Sequence, residues 1–248
     1  MKHETEIESL LIEEKLDILF LCETDCVILN EDYRILNYKT VVHHKSNDRY
    51  KTRIIALIND DIFNDVKIRN DIEISNYPII TLEIKSNNCK KLVVSGVYRQ
   101  WGSNQEYELE QITNAIDKIG DEKKDHIIIG DMNLDKSKFD TEDYRYKKLR
   151  DILLNCLSRN DLKMADLGPT YLSKIHGTQS ELDHIYYSST LNRVIKPFLG
   201  DCSAVLQIIY KLLLMLNQKK KPSLILPRNS KWYVAIEILI NLISTVIY

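Results

Sequence analysis

The chain has 248 residues, 34 Lys+Arg against 36 Asp+Glu, 44% hydrophobic and 28% charged residues, with Gly 7, Pro 5 and Cys 5. That composition excludes collagen-like, low-complexity and disulfide-scaffold classes, and the length suits one large domain around one core. The formal charge of -2 gives no bulk attraction for a polyanion, so contact with nucleic acid would depend on local patches or bound cations.

The charge is unevenly placed. No acid occurs between Cys202 and Ile236, whereas Lys211, Lys219, Lys220, Lys221, Arg228 and Lys231 do, so an acidic body carries a basic tail. The cysteines (Cys22, Cys26, Cys89, Cys156, Cys202) are odd in number and form no CxxC pair, and the start MKHETEIESLL is too charged for a secretion signal. An intracellular chain, nuclear or cytoplasmic, is expected.

In chain order, Thr5 and Glu8 have capping-box spacing and Ile7, Leu10 and Leu11 have helical periodicity, so a helix is expected over 6–15. LDILFLCET, Leu16 to Thr24, is short and continuously apolar, as in a strand buried on both faces, and it ends at Glu23. Strand-like runs follow at YRILNYKTVVHH, TRIIALIND, YPIITLEIK, KLVVSGVYR and HIIIGDMN. Helical periodicity returns at Tyr107 to Ile119 and at Tyr144 to Ser158, and two further apolar runs, ELDHIYYSS and SAVLQIIYKL, come after Gly168-Pro169. Many strands with a few helices between them predict an α/β (α+β) fold: two packed mixed β-sheets flanked by helices, a four-layer sandwich. WYVAIEILINLISTVIY, Trp232 to Tyr248, is interrupted by Glu237 and Asn241 and is short for a membrane span, so a packed or docked helix is expected there and no clear membrane partner.

Acids and an amide sit at the margins of several of these runs: Glu23, Asp131, Asn133, Asp183 and Asp201. Oxygen donors at the ends of buried strands can converge on one crevice, and such donors suit a hard cation such as Mg²⁺. Dinucleotide and P-loop glycine motifs, the nucleophile elbow, HExxH and paired Cys/His zinc spacings are all absent from the sequence. Cys22-x3-Cys26 has no second pair and reads as one core and one loop cysteine. His184 directly follows Asp183, and neighbours on a strand face opposite ways, so a site containing Asp183 should leave His184 in a structural role.

LDILFLCET, GVYRQW, GDMNLD, GPTY, SELDHIYYS and LGDCSAVL, in this order and spacing, resemble the endonuclease/exonuclease/phosphatase superfamily, and within it the retrotransposon (LINE-type) endonucleases. The resemblance runs from about Leu16 to Lys211. It implies that Glu23, with Asp201, binds Mg²⁺, that Tyr98 touches the scissile phosphate, and that Asp131 orients or deprotonates the attacking water. Asn133 would hold the phosphate, and Asp183 would orient a catalytic histidine that Asp201 accompanies in the last motif. DNA is the partner it implies.

Two departures bear on activity. The family's last motif ends in histidine, where this chain has Cys202, and a thiol is a weak donor that titrates near ~8.5. The family also opens with a strand carrying an active-site Asn, whereas only MKHET precedes the expected helix here, so that first strand is expected to be missing. Residues 1–210 are therefore read as a nuclease-like domain of weak or lost activity. Residues 211–248 are read as a basic linker and an apolar segment of unknown role. A non-catalytic binding relative and a lipid phosphodiesterase of the same fold are the competing readings.

Overall fold

A strand with both faces covered needs apolar residues at every position, and Ile18 to Cys22 supplies them: Ile18, Phe20 and Cys22 face a second sheet, while Leu19 and Leu21 face a helix. The structure, a computed structural model, describes residues 4–14, 16–26, 34–42, 52–72, 77–85, 91–102, 104–120, 122, 124–172, 177–191, 207–212 and 233–238. In chain order these form α1 (Glu4–Glu14), β1 (Ile18–Cys26), β2 (Arg34–Ile35), β3 (Tyr38–Val42), β4 (Thr52–Asn59), α2 (Asp60–Phe63), β5 (Val66–Ile68), β6 (Ile79–Ile84) and β7 (Leu92–Tyr98). They continue with α3 (Gln105–Gly120), β8 (Asp125–Asp131), α4 (Tyr144–Arg159), β9 (Leu162–Met164), β10 (Tyr171–Leu172), β11 (Gln179–Ser180), β12 (Asp183–Ser188), β13 (Gln207–Leu212) and β14 (Tyr233–Ile238).

One sheet has the order β1-β4-β3-β2 and the other β5-β6-β7-β8-β12-β9. The second is mixed, because β7 and β8 run parallel while their outer neighbours pair antiparallel. Between the sheets lies a core drawn from Ile18, Phe20, Ile54, Ala56, Leu82, Val94, Ile127, Ile129 and Ile185. The outer face of the first sheet is covered by Ile7, Leu10 and Leu11 of α1. The outer face of the second is covered by Leu109, Ile112, Ile116 and Ile119 of α3 and Leu149, Leu153, Cys156 and Leu157 of α4. At roughly 1.5–3 kcal/mol for each large side chain taken out of water, these two helical stripes hold the outer layers in place. The result is the expected four-layer α/β sandwich.

Glycine is required where the layers approach most closely. A Cβ at Gly96 in β7 would stand 2.2 Å from the Phe20 ring of the opposing sheet. At Gly130, with φ +156, a Cβ would stand 1.7 Å from the Val97 carbonyl oxygen on the parallel neighbour.

Several local expectations change. The run 33–44 is divided within the described residues: Leu36 takes φ 53, and β2 folds back on β3 through the two-residue connection Leu36–Asn37, with Ile35 opposite Tyr38. The first helix begins at Glu4, so Thr5 lies inside its first turn and does not cap it. Residues 233–238 form a strand, β14, that pairs in parallel with β13 and runs alongside β1. The helix expected there loses because Val234, Ile236 and Ile238 bring β-branched side chains and a parallel partner is within reach. No helix among the described residues is long and apolar enough to cross a membrane.

At the end of the second sheet where β7 and β8 begin, buried Arg69 pairs with Asp71, Glu83 and Glu122, and Lys124 pairs with Glu83 and Glu122. The opposite end, where β7 and β8 finish, carries the polar residues singled out from the sequence.

Candidate active site

Parallel pairing of β7 with β8 sets Tyr98 level with Asp131, and antiparallel pairing of β12 with β8 sets Asp183 opposite Asp131. Side chains alternate along a strand, and Val94, Ile127, Ile129, Ile185 and Tyr187 face the space between the sheets. Tyr98, Asp131 and Asp183 share that parity and form one row across three adjacent strands. Directly opposed residues have Cβ atoms about 4.5–5.5 Å apart, so two carboxylates are held as immediate neighbours. Tyr98 and Asp183 are buried, and Asp131 is half-buried.

Asn133 is tied to this row by its backbone conformation. It adopts φ 45, its N–H donates to Asp131 Oδ1 (2.8 Å), and its Nδ2 donates to the Arg99 carbonyl (2.6 Å) and to Asp131 Oδ2 (3.3 Å). Asparagine accepts the left-handed region at small cost because its short polar side chain bonds locally. The turn after β8 thus presents carboxylate and amide together.

The first sheet meets the row through β1. Cys22 Sγ lies 3.7 Å from the Val97 carbonyl, which places the end of the buried part of β1 beside Tyr98. Pairing of β1 with β4 is regular from Ile18 to Cys22 and shifts before Cys26, and Glu23 lies within that irregular stretch. The Glu23 and Cys26 side chains and residues Asp201 and Cys202 lie outside the described residues, as do Lys219 to Lys221. From β4, the Arg53 guanidinium stands 5.9 Å from the centre of the Tyr98 ring, a cation beside the row that no sequence motif singles out.

His184 is placed as strand parity requires. It faces the helical side, with edge contacts to Phe139 and Tyr186, and not the row. Burial pulls its pKa down to about 4, so it is neutral. Its Nε2–H then donates to the Glu181 carbonyl (3.3 Å), and Nδ1 accepts from the Tyr186 hydroxyl (2.6 Å).

Two supporting residues escape a motif-level reading. Thr170, from GPTY, is buried, and its Oγ1 accepts from the N–H groups of Leu182 (2.9 Å) and Asp183 (3.1 Å), fixing the chain at the start of β12. Asp135, from GDMNLD, accepts on Oδ1 from Ser137 N, Ser137 Oγ and Glu181 N (3.2, 2.7 and 3.0 Å). Burial pushes the Asp135 carboxyl up, but these hydrogen bonds outweigh it and hold it below the usual range. Lys136 adds ion pairs to Glu181 and Asp166, both at 3.0 Å. The segment after β8 is therefore bound to the segment before β12, which keeps Asp131 and Asp183 in register.

Among the described residues, no group of three or more His, Cys, Asp or Glu side chains could hold a metal ion. The described donors, two carboxylates and the Asn133 amide oxygen, are hard oxygen ligands, which suit Mg²⁺ and do not suit a soft metal.

Fold and site together define a class: two-sheet α/β sandwiches with a polar site at the strand ends between the sheets. A profile of the endonuclease/exonuclease/phosphatase family matches residues 2–204, and the chain belongs to that family. No curated protein matches it significantly. Among solved structures, the endonuclease domain of the telomere-specific non-LTR retrotransposon TRAS1 is similar, with TM-score 0.58, 19% identity and coverage of 79% of this chain and 84% of that one. The AP endonuclease LMAP of Leishmania major gives TM-score 0.62 and 12% identity over 79% of this chain and 78% of its own. The 3'-5' exonuclease NExo of Neisseria meningitidis gives 0.57 and 15% over 78% and 85%. At these identities the likeness establishes the fold.

Proposed function

We propose that this chain is a phosphodiester-hydrolase-type domain that acts on DNA, of the retrotransposon endonuclease kind, uses Mg²⁺ and is weakened by Cys202. The observation that carries the reading is the row Tyr98-Asp131-Asp183 with Asn133 folded onto it. Hydrolysis of a phosphodiester builds negative charge on the phosphate and leaving oxygens, so a site must offer donors to the phosphate and an acceptor to water. Asp131 is the acceptor: its carboxylate, steadied by Asn133, takes the proton of an attacking water. The Tyr98 hydroxyl donates to a phosphate oxygen. The Asn133 Nδ2 exchanges its longer, 3.3 Å contact with Asp131 for another phosphate oxygen. Asp183, paired across from Asp131, orients the group in the last motif.

Glu23 and Asp201 would hold Mg²⁺. The cation, when bound, supplies positive charge against the phosphate oxygens. A histidine in the last motif would add a general acid or a charge-stabilising donor, and Cys202 offers neither. Loss of one such group costs ~10²–10⁴-fold in rate.

The tests are a plasmid-nicking assay and a melting experiment on the full chain. The unmodified chain should nick supercoiled plasmid slowly and only with Mg²⁺, and Asp131→Asn should remove that residual rate. Millimolar Mg²⁺ should raise the melting temperature over EDTA, and Glu23→Gln with Asp131→Asn should remove that gain by mass action. Fast Mg²⁺-dependent nicking would refute the weakening by Cys202, and equal melting temperatures would refute the metal crevice.

A further inference from the structure

Arg99 follows Tyr98 at the end of β7 and is 1% exposed, although an arginine of this burial ordinarily has a carboxylate partner. Among the described residues none lies within ion-pair distance of it. Its Nε donates to the Met132 carbonyl (2.5 Å) and its Nη2 to the Asn133 carbonyl (2.7 Å), while its Nη1 is buried with no partner. Its backbone is bound into the same turn: Arg99 N–H donates to the Asp131 carbonyl (2.8 Å), and the Arg99 carbonyl accepts from Asn133 Nδ2. One residue thus makes four contacts with the three positions Asp131, Met132 and Asn133. Two of those contacts come from adjacent points of a rigid planar fork.

We infer that Arg99 is a positioning residue that clamps the Asp131–Asn133 turn. The inference rests on the proposed function only for what the turn is used for. The turn needs such a clamp because Asn133 sits at positive φ, where the backbone leaves the β8 ladder. Lysine cannot replace the fork, since a single ammonium satisfies one carbonyl at a time.

The clamp can be tested by NMR on the full chain without metal or DNA, so its failure is separable from failure of the nuclease reading. In the unmodified chain, the Arg99 Hε should exchange slowly with water, by at least ~10²-fold relative to the exposed Arg145 Hε, as expected of a donor that opens only with the turn. Exchange at the Arg145 rate would overturn the clamp without any substitution. Arg99→Met should speed exchange of the Asn133 N–H at least ~10-fold against the Ile128 N–H in mid-β8. Arg99→Lys should speed it as well, because the charge stays and the fork is lost. A residue that acts only through its charge would leave Asn133 exchange unchanged in Arg99→Lys, and one that only fills space would speed Asn133 and Ile128 together. Asn133 exchange tracking Ile128 in either variant would overturn the proposal. If Arg99→Met fails to fold, the Hε measurement and the Arg99→Lys comparison still decide it.

Discussion

Replacing Thr170 by valine removes one oxygen while keeping the shape of the side chain, and it strands two backbone N–H groups, those of Leu182 and Asp183. Thr170 is 2% exposed and the Asp183 N–H is buried, so water cannot take over the lost acceptor there. An unsatisfied buried donor costs ~1–3 kcal/mol, and the less buried Leu182 N–H costs less, giving about 2–4 kcal/mol in all. For a domain of this size that corresponds to roughly 4–16 °C in melting temperature. Thr170→Ser keeps the hydroxyl and loses one methyl, worth about 0.8 kcal/mol. Urea denaturation of the three proteins should therefore rank them unmodified, then serine, then valine, with equal m-values. The Asp183 N–H should lose its exchange protection in the valine variant. A valine variant as stable as the serine one would refute the claim that the Thr170 hydroxyl holds the start of β12.

Three further outcomes are expected. Arg69 first, then Lys124, hold Glu122 at about 2, and Lys124 and Lys91 hold Glu83 at about 2, so their folded pKa values lie below the unfolded value. Their stabilisation is present above the unfolded carboxylate pKa and fades as pH falls from there towards 2, and Glu83→Gln should flatten that part of a urea-midpoint profile. His126 and His184 are pulled to about 4 by burial, so between the ordinary histidine value and pH 4 only the unfolded chain binds those protons. Stability should already decline from neutral pH towards 4, and a flat midpoint from pH 7 to 5 would contradict it. Gly130→Ala would force a Cβ against the Val97 carbonyl and should prevent native folding. Gly168→Ala, with φ +70 but open space, should cost only ~1 kcal/mol, as read by circular dichroism and melting.

The strands of both sheets announce themselves because most are buried on both faces, which forces unbroken apolar runs such as Ile18–Cys22 and Ile127–Ile129. β5 (VKI) and β9 (LKM) are edge strands of three residues with a lysine at the centre, and nothing in their composition separates them from loop. The segment 233–238 shows the limit from the other side: an apolar run has no period that distinguishes helix from strand, and its partner β13 decides. For the site, Tyr98, Asp131, Asn133 and Asp183 are legible as the polar ends of apolar runs in a familiar order. Their assembly into one row is not, because it depends on the register of β7, β8 and β12. Thr170, Asp135 and Arg99 act through backbone groups of other segments, and such partners leave no pattern in sequence spacing.

The core between the sheets joins strands that are far apart in time as well as in sequence. Its first half is complete once Ile58 has been synthesised, but the sheet that covers it arrives piecemeal: Leu82 and Val94 first, then Ile127 and Ile129, and Ile185 and Tyr187 last. At ~5–20 residues per second, the inner face of β1 and β4 waits on the order of ten seconds on the ribosome before the opposing sheet is whole. Ile18, Phe20, Ile54, Ala56 and Ile58 form during that interval a flat apolar surface of the kind that nascent chains aggregate through. Synthesis of this protein should therefore depend on holdase chaperones more steeply than its final stability would suggest, and slowing translation should lengthen the exposure instead of relieving it.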